Sequence, residues 1–117
     1  MIRNRQSTLL PVQIGAIACA VATALIHIYL SFQFVERPDL IFLFNGLGYL
    51  ALTALLYLPQ TGFAAYRTRV RWLLIGYTAL TIGLWVLLGA RTFVGYLDKL
   101  LEVALIIFLW LDSQQTT

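Results

Sequence analysis

The sequence predicts an all-α integral membrane protein, an up-and-down bundle of four transmembrane helices, and two observations carry that expectation. Apolar residues make up 61% of the 117-residue chain and charged residues only 11%, against roughly 45–50% and 25% in ordinary soluble domains. A water-soluble monomer of this composition would lack the polar side chains to cover its surface. The apolar residues also fall into four stretches, separated by polar or Gly/Pro-marked breaks. A membrane-crossing helix needs about 17 to 25 mostly apolar residues, so the chain reads as one domain, 1–117, of four such segments.

The first stretch runs from about Leu9 to Val35, with Pro11 near its start. The proline ring suits a first helical turn, where its missing N–H costs nothing. The second runs from about Leu40 to Leu58, opened by Glu36-Arg37-Pro38-Asp39 and closed by Pro59-Gln60-Thr61-Gly62. The third covers about Trp72 to Leu88, between Arg67, Arg69 and Arg71 on one side and Gly89-Ala90-Arg91 on the other. The fourth is harder. Its uninterrupted apolar run, Val103 to Leu111, supplies about 13.5 Å of helix at 1.5 Å per residue, less than half of a hydrocarbon core about 30 Å thick. A helix started near Thr92 reaches Leu111 in about 20 residues and spans. Asp98, Lys99 and Glu102 of the segment YLDKLLE are then drawn below the membrane surface. An interfacial fourth segment is the alternative. The full span is preferred because lipid-exposed non-helical backbone is not tolerated in the hydrocarbon region.

Lys and Arg in the short loops set the expected orientation. Arg3, Arg5, Arg67, Arg69 and Arg71 fall on one side, Arg37, Arg91 and Lys99 on the other, which places both termini in the cytoplasm of a multi-pass cell-membrane protein. Tyr66, Trp72 and Trp110 would stand in the inner aromatic belt, Trp85 and Tyr96 nearer the outer one. The net charge of +3 comes from eight Lys and Arg with no basic run interleaved with aromatics, so no nucleic-acid partner is expected. The single cysteine, Cys19, excludes an intrachain disulfide and reads as a small hydrophobe. Arg3 and Arg5 followed by IGAIACAVATA resemble a signal peptide, but cleavage after Ala18 or Ala24 would cut a run that continues to Phe34. The better reading of the small residues is close helix packing, through Ala16, Ala20 and Ala24 in the first helix, Gly48 with Ala51 in the second, and Gly76 and Gly83 in the third.

Counting residues inward from the outer edge puts His27 and Asn45 about 7 Å deep, Asp98 about 9 Å, Lys99 about 10 Å and Glu102 about 15 Å. The inner half offers Thr53, Thr78 and Thr81. A lone charge at a helix centre costs about 2.5–3.5 kcal/mol, so the outer groups are expected to turn inward and share one polar cluster. Asp98 and Glu102, four apart, lie on one helix face, Lys99 reaches Glu102, and His27 and Asn45 are the inward partners for Asp98. Each residue also has a plain structural reading. His27 and Asn45 serve as hydrogen-bonded bridges between helices, and the charged trio as a device that specifies the bundle.

Catalytic and metal patterns find little support. No Ser-His-Asp spacing, Gly-rich phosphate loop or haem-attachment motif is present, and one histidine with carboxylates distant in sequence is thin material for zinc. No catalytic residue and no metal ligand is therefore expected, and the cofactor is left open. His27-x-Tyr29, Phe44-Asn45-Gly46-x-Gly48 and Gly95-Tyr96-x-Asp98-Lys99 together resemble a loose group of small prokaryotic four-span membrane proteins of unknown function, over about Ile14 to Leu111. That resemblance implies the four-helix architecture and no chemistry. The expectation is a non-enzymatic protein, an accessory subunit or a binder of a small ligand through His27, Asn45, Asp98, Lys99 and Glu102. Its partners would be membrane lipids and either a larger membrane complex or further copies of itself. The alternatives are a proton or ion conductor through His27, Asp98 and Glu102, and a haem or pigment carrier through His27 with Thr23 and Ala24 beside it.

Overall fold

A computed structural model describes residues 10–33, 39–57, 66–89 and 91–115. They form four helices, α1 Pro11–Ser31, α2 Leu40–Tyr57, α3 Arg67–Leu88 and α4 Phe93–Gln115. The expected helical ends at Leu9, Phe34, Val35 and Leu58, the arginines at 3, 5 and 37, and the breaks at 36–38 and 59–62 lie outside the described residues. α1, α2 and α3 are long and apolar enough to cross a membrane. α4 has 23 residues, about 35 Å of helix, but carries Asp98, Lys99, Glu102 and Asp112. α3 begins at Arg67, so Arg67, Arg69 and Arg71 belong to its first turns and not to a loop. α4 runs past Leu111 and so takes Asp112 into the helix.

The ends are fixed by local chemistry. Pro11 opens α1, and the Gln13 side-chain carbonyl accepts the Leu10 backbone N–H at 3.0 Å. The Asp39 carboxylate accepts the N–H groups of Ile41 and Phe42 at 2.9 and 3.2 Å, the work of an N-cap for α2. Thr92 does the same for α4 by accepting the Gly95 N–H at 3.0 Å. Past the end of α3, Arg91 donates to the carbonyls of Trp85 and Val86 and stacks 4.2 Å over the Trp85 ring, so a cation meets the negative end of the helix.

α2, α3 and α4 each bury one stripe of residues spaced alternately by three and four. On α2 the stripe is Gly46, Tyr49, Thr53 and Leu56; on α3 it is Arg71, Leu74, Thr78 and Thr81. On α4 it is Asp98, Glu102, Leu105, Leu109 and Asp112. This is the seam that lets side chains of one helix fill the holes of its neighbours. The outward faces are apolar: Leu25, Ile41, Leu80, Leu87 and Leu100 are all more than half exposed. Polar side chains turned inward and leucines turned outward are what a lipid solvent selects and water does not.

Without a strong hydrophobic drive in lipid, contact distance between helices decides stability. α1 packs on α2 and α4 through Ala16, Ala20 and Ala24, all essentially fully buried. Gly46 of α2 lies so near α1 that a Cβ there would sit 2.7 Å from both the Ala24 carbonyl oxygen and Ile28 Cγ1. Gly48 is covered by the Tyr77 hydroxyl of α3, which donates to the Asn45 carbonyl at 2.6 Å. Ala51 is exposed, and a Cβ added at Gly76 or Gly83 would meet nothing within 4 Å. The expectation that these two glycines pack against another helix is therefore corrected: they lie on the outward face of α3, off its buried stripe. At mid-height, Leu56, Leu74, Leu105 and Leu109, one or two from each of three helices, are fully buried together.

Candidate functional site

At the end of the bundle where α1 finishes and α4 begins, Thr23 and His27 of α1, Tyr49 of α2, and Asp98, Lys99 and Glu102 of α4 converge, all buried. The spacing explains the convergence. Thr23 and His27, like Asp98 and Glu102, are four apart and share a helix face, and those two faces meet across the α1–α4 contact.

The His27 ring is held by its own helix. Nδ1 stands 2.8 Å from the Thr23 carbonyl oxygen, which only accepts, so Nδ1 carries a hydrogen and Nε2 is the ring nitrogen turned toward the carboxylates. Nε2 faces Asp98 Oδ2 at 3.6 Å and Glu102 Oε2 at 3.8 Å, both longer than a hydrogen bond. The ring faces are packed by Phe42 and Tyr49, with centroids 6.0 and 5.8 Å away.

The two carboxylates are oriented by hydroxyls. The Thr23 hydroxyl donates to Asp98 Oδ1 and lies 3.3 Å from Glu102 Oε2. The Tyr49 hydroxyl donates to Glu102 Oε2 at 2.8 Å. The Lys99 ammonium pairs with Asp98 Oδ2 at 3.2 Å and with Glu102 Oε1, and lies 6.0 Å over the Trp85 ring. One ammonium is thus shared between two carboxylates, and the three atoms that face one another, His27 Nε2 and one oxygen from each acid, lie within 4.8 Å.

Of the sequence-derived set, His27, Asp98, Lys99 and Glu102 come together. Asn45 makes its contacts elsewhere: Nδ2 donates to Thr81 Oγ1 at 3.2 Å, Oδ1 is buried with no hydrogen bond, and no hydrogen bond joins Asn45 to Asp98 among the described residues. Thr81 thus stands level with Asn45 and not in the inner half. Sequence reasoning did not include Thr23 and Tyr49 in the site.

It also missed a second cluster at the opposite end. Asp112, fully buried, accepts from Gln13 Nε2 at 3.0 Å and from the Tyr57 hydroxyl at 2.9 Å, and pairs with Arg71 Nε at 3.3 Å. All four helices meet on this one carboxylate. The inner half therefore holds more than its threonines, and the signal was present in the sequence: Asp112 continues the four-three spacing that runs from Asp98 through Glu102, Leu105 and Leu109.

Fold and site together define a four-helix bundle with a buried His–Asp–Lys–Glu cluster at one end and an Asp–Arg–Tyr–Gln knot at the other. No protein-family model, curated protein or solved structure matches the chain.

Proposed function

We propose that the chain is a small non-enzymatic integral membrane protein of four spans, with both termini cytoplasmic, that binds a small cationic ligand in the cluster of His27, Asp98, Lys99 and Glu102. The observation that carries this reading is the histidine nitrogen turned toward two buried carboxylates at 3.6 and 3.8 Å, beyond hydrogen-bond length. The Asp112 carboxylate at the other end is likewise met at each oxygen, by donors at 2.9–3.3 Å, but no imidazole faces it.

The span of α4 is supported by its fit to the other three helices along a buried stripe carrying Asp98, Glu102 and Asp112, because charges turned inward escape the cost of facing lipid. The orientation is supported by the arginines at the Arg67–Arg71 end of α3. Ligand binding is favoured over conduction by the layer of Leu56, Leu74, Leu105 and Leu109. This layer places bulky apolar side chains in the roughly 15 Å of helix between Glu102 and Asp112, with the buried hydroxyls of Thr53 and Thr78 beside them. A tetrapyrrole on His27 is disfavoured because its Nε2 side is filled by both carboxylates.

Native mass spectrometry of the chain released from mild detergent tests the reading. The wild type is expected to carry a mass excess that Glu102→Gln abolishes and Asp39→Asn retains. A wild type with the mass of the bare chain under all gentle release conditions overturns it.

A further inference from the structure

We infer that His27 Nε2, Asp98 Oδ2 and Glu102 Oε2 form a binding site for a divalent first-row transition-metal ion of the zinc type, in which the Lys99 ammonium is the exchangeable occupant. The inference rests on the ligand-binding reading above and names the ligand.

Three features support it independently of the mere presence of acids. The first is the tautomer. The hydrogen bond from Nδ1 to the Thr23 carbonyl is the device by which metal-binding histidines present an unprotonated Nε2. The second is the orientation of the carboxylates: the Thr23 hydroxyl holds Asp98 through Oδ1 and leaves Oδ2 toward Nε2, and the Tyr49 hydroxyl fixes Glu102 through Oε2, as supporting hydrogen bonds do around metal-binding carboxylates. The third is size. Zinc–nitrogen and zinc–oxygen bonds of about 2.0–2.2 Å give tetrahedral edges of about 3.3–3.6 Å. The Nε2–oxygen separations are 3.6 and 3.8 Å and all three atoms lie within 4.8 Å of one another, so side-chain rotation that draws the two carboxylates together closes the shell. One nitrogen and two oxygens from two helices leave a fourth position open, the pattern of a zinc site that keeps a water or a small anion.

Charge decides the role of Lys99. A dication held by two carboxylates and an imidazole lone pair balances their charge and repels an ammonium beside it. Lys99 lies near the start of α4, beside Trp85, and its four-carbon stem allows the ammonium to swing to the headgroup region as the metal enters. The ammonium and the metal therefore compete for Asp98 Oδ2 and for the Glu102 carboxylate, which Lys99 meets at Oε1.

The test is calorimetric titration of the full chain in mild detergent with zinc chloride, with cobalt(II) absorption as the reporter of coordination. One zinc per chain and an intense tetrahedral cobalt spectrum are expected. His27→Ala and Glu102→Gln should abolish both, and Thr23→Val should weaken zinc by about 10- to 100-fold. Lys99→Met should tighten it. That gain keeps the test decisive even where His27→Ala fails to fold. Zinc retained in His27→Ala together with an unchanged Lys99→Met overturns the assignment, as does the absence of zinc uptake by the wild type. A non-metal mass excess in native spectra with no zinc uptake overturns the metal and leaves the ligand-binding reading standing; a bare chain that takes up no zinc removes both.

Discussion

Replacing Asp112 by alanine removes one carboxylate from the point where four helices meet. Summing its contacts at the roughly 1.5–3 kcal/mol of a hydrogen bond to a charged group would overstate the loss, because Gln13 and Tyr57 are only half buried and can turn to water or headgroups. Arg71 is 4% exposed, and burying a guanidinium after its carboxylate is removed is what costs. Breaking a buried pair from one side costs about 3–5 kcal/mol, and that is the expected destabilisation of Asp112→Ala. The pair itself contributes far less, because both charges were desolvated to form it. Arg71→Met alone and Asp112→Leu alone should each cost about 3–5 kcal/mol for the same reason, whereas the double variant Arg71→Met with Asp112→Leu should lie within about 1.5 kcal/mol of the wild type, as volume-conserving apolar swaps do, so that the cycle returns a coupling of at least about 4.5 kcal/mol. Reversible unfolding in mixed detergent micelles, followed by helical circular dichroism and tryptophan fluorescence, measures all four corners. A cost below about 1 kcal/mol for Asp112→Ala, the range of a surface pair, or strictly additive single losses would refute the buried-pair reasoning.

Three further outcomes follow from the same geometry. Tyr49→Phe keeps the ring against His27 and deletes the bond to Glu102, so it should lower stability by about 1.5–3 kcal/mol; a neutral result would mean that the hydroxyl does not support the acid. Gly46→Ala should destabilise by about 1–3 kcal/mol, since its methyl meets the Ala24 carbonyl and Ile28 at 2.7 Å. Gly76→Ala, with open space around it, should be neutral or stabilise by up to about 1 kcal/mol, and equal effects at the two glycines would contradict the packing. In a Cys19→Ala background, Asp98→Cys should resist a membrane-impermeant thiol reagent in intact membranes. Rapid labelling from outside would put the start of α4 at the surface.

Much of the fold was legible in the sequence because lipid imposes a simple rule. Apolar runs of spanning length must be helices, and ionisable groups inside them must turn toward one another. That rule, with the four-residue spacing of Asp98 and Glu102, was enough to place His27, Asp98, Lys99 and Glu102 in one cluster. It failed for Asn45, because depth along a helix says nothing about azimuth: a residue at the right height faced Thr81 on α3. It failed for Gly76 and Gly83 for the same reason, since small residues mark close packing only where they fall on the buried stripe. It failed for Asp112 because Trp110-Leu111-Asp112 reads as the end of an apolar run, while the four-three register carries the helix one turn further.

The sequence alone thus determined the all-helical class, the number of helices and the need for an inward-facing set of charges, since composition, run length and i,i+4 spacing are properties of the chain by itself. Tertiary structure decided which helix faces meet. Only that brought a histidine nitrogen on α1 within reach of two carboxylates on α4, some seventy residues away along the chain. It also tied Gln13, Tyr57 and Arg71 to Asp112 at the far end. Contacts between distant segments depend on the rotation and close approach of packed helices, and those are set by the alanines of α1 and Gly46 acting together.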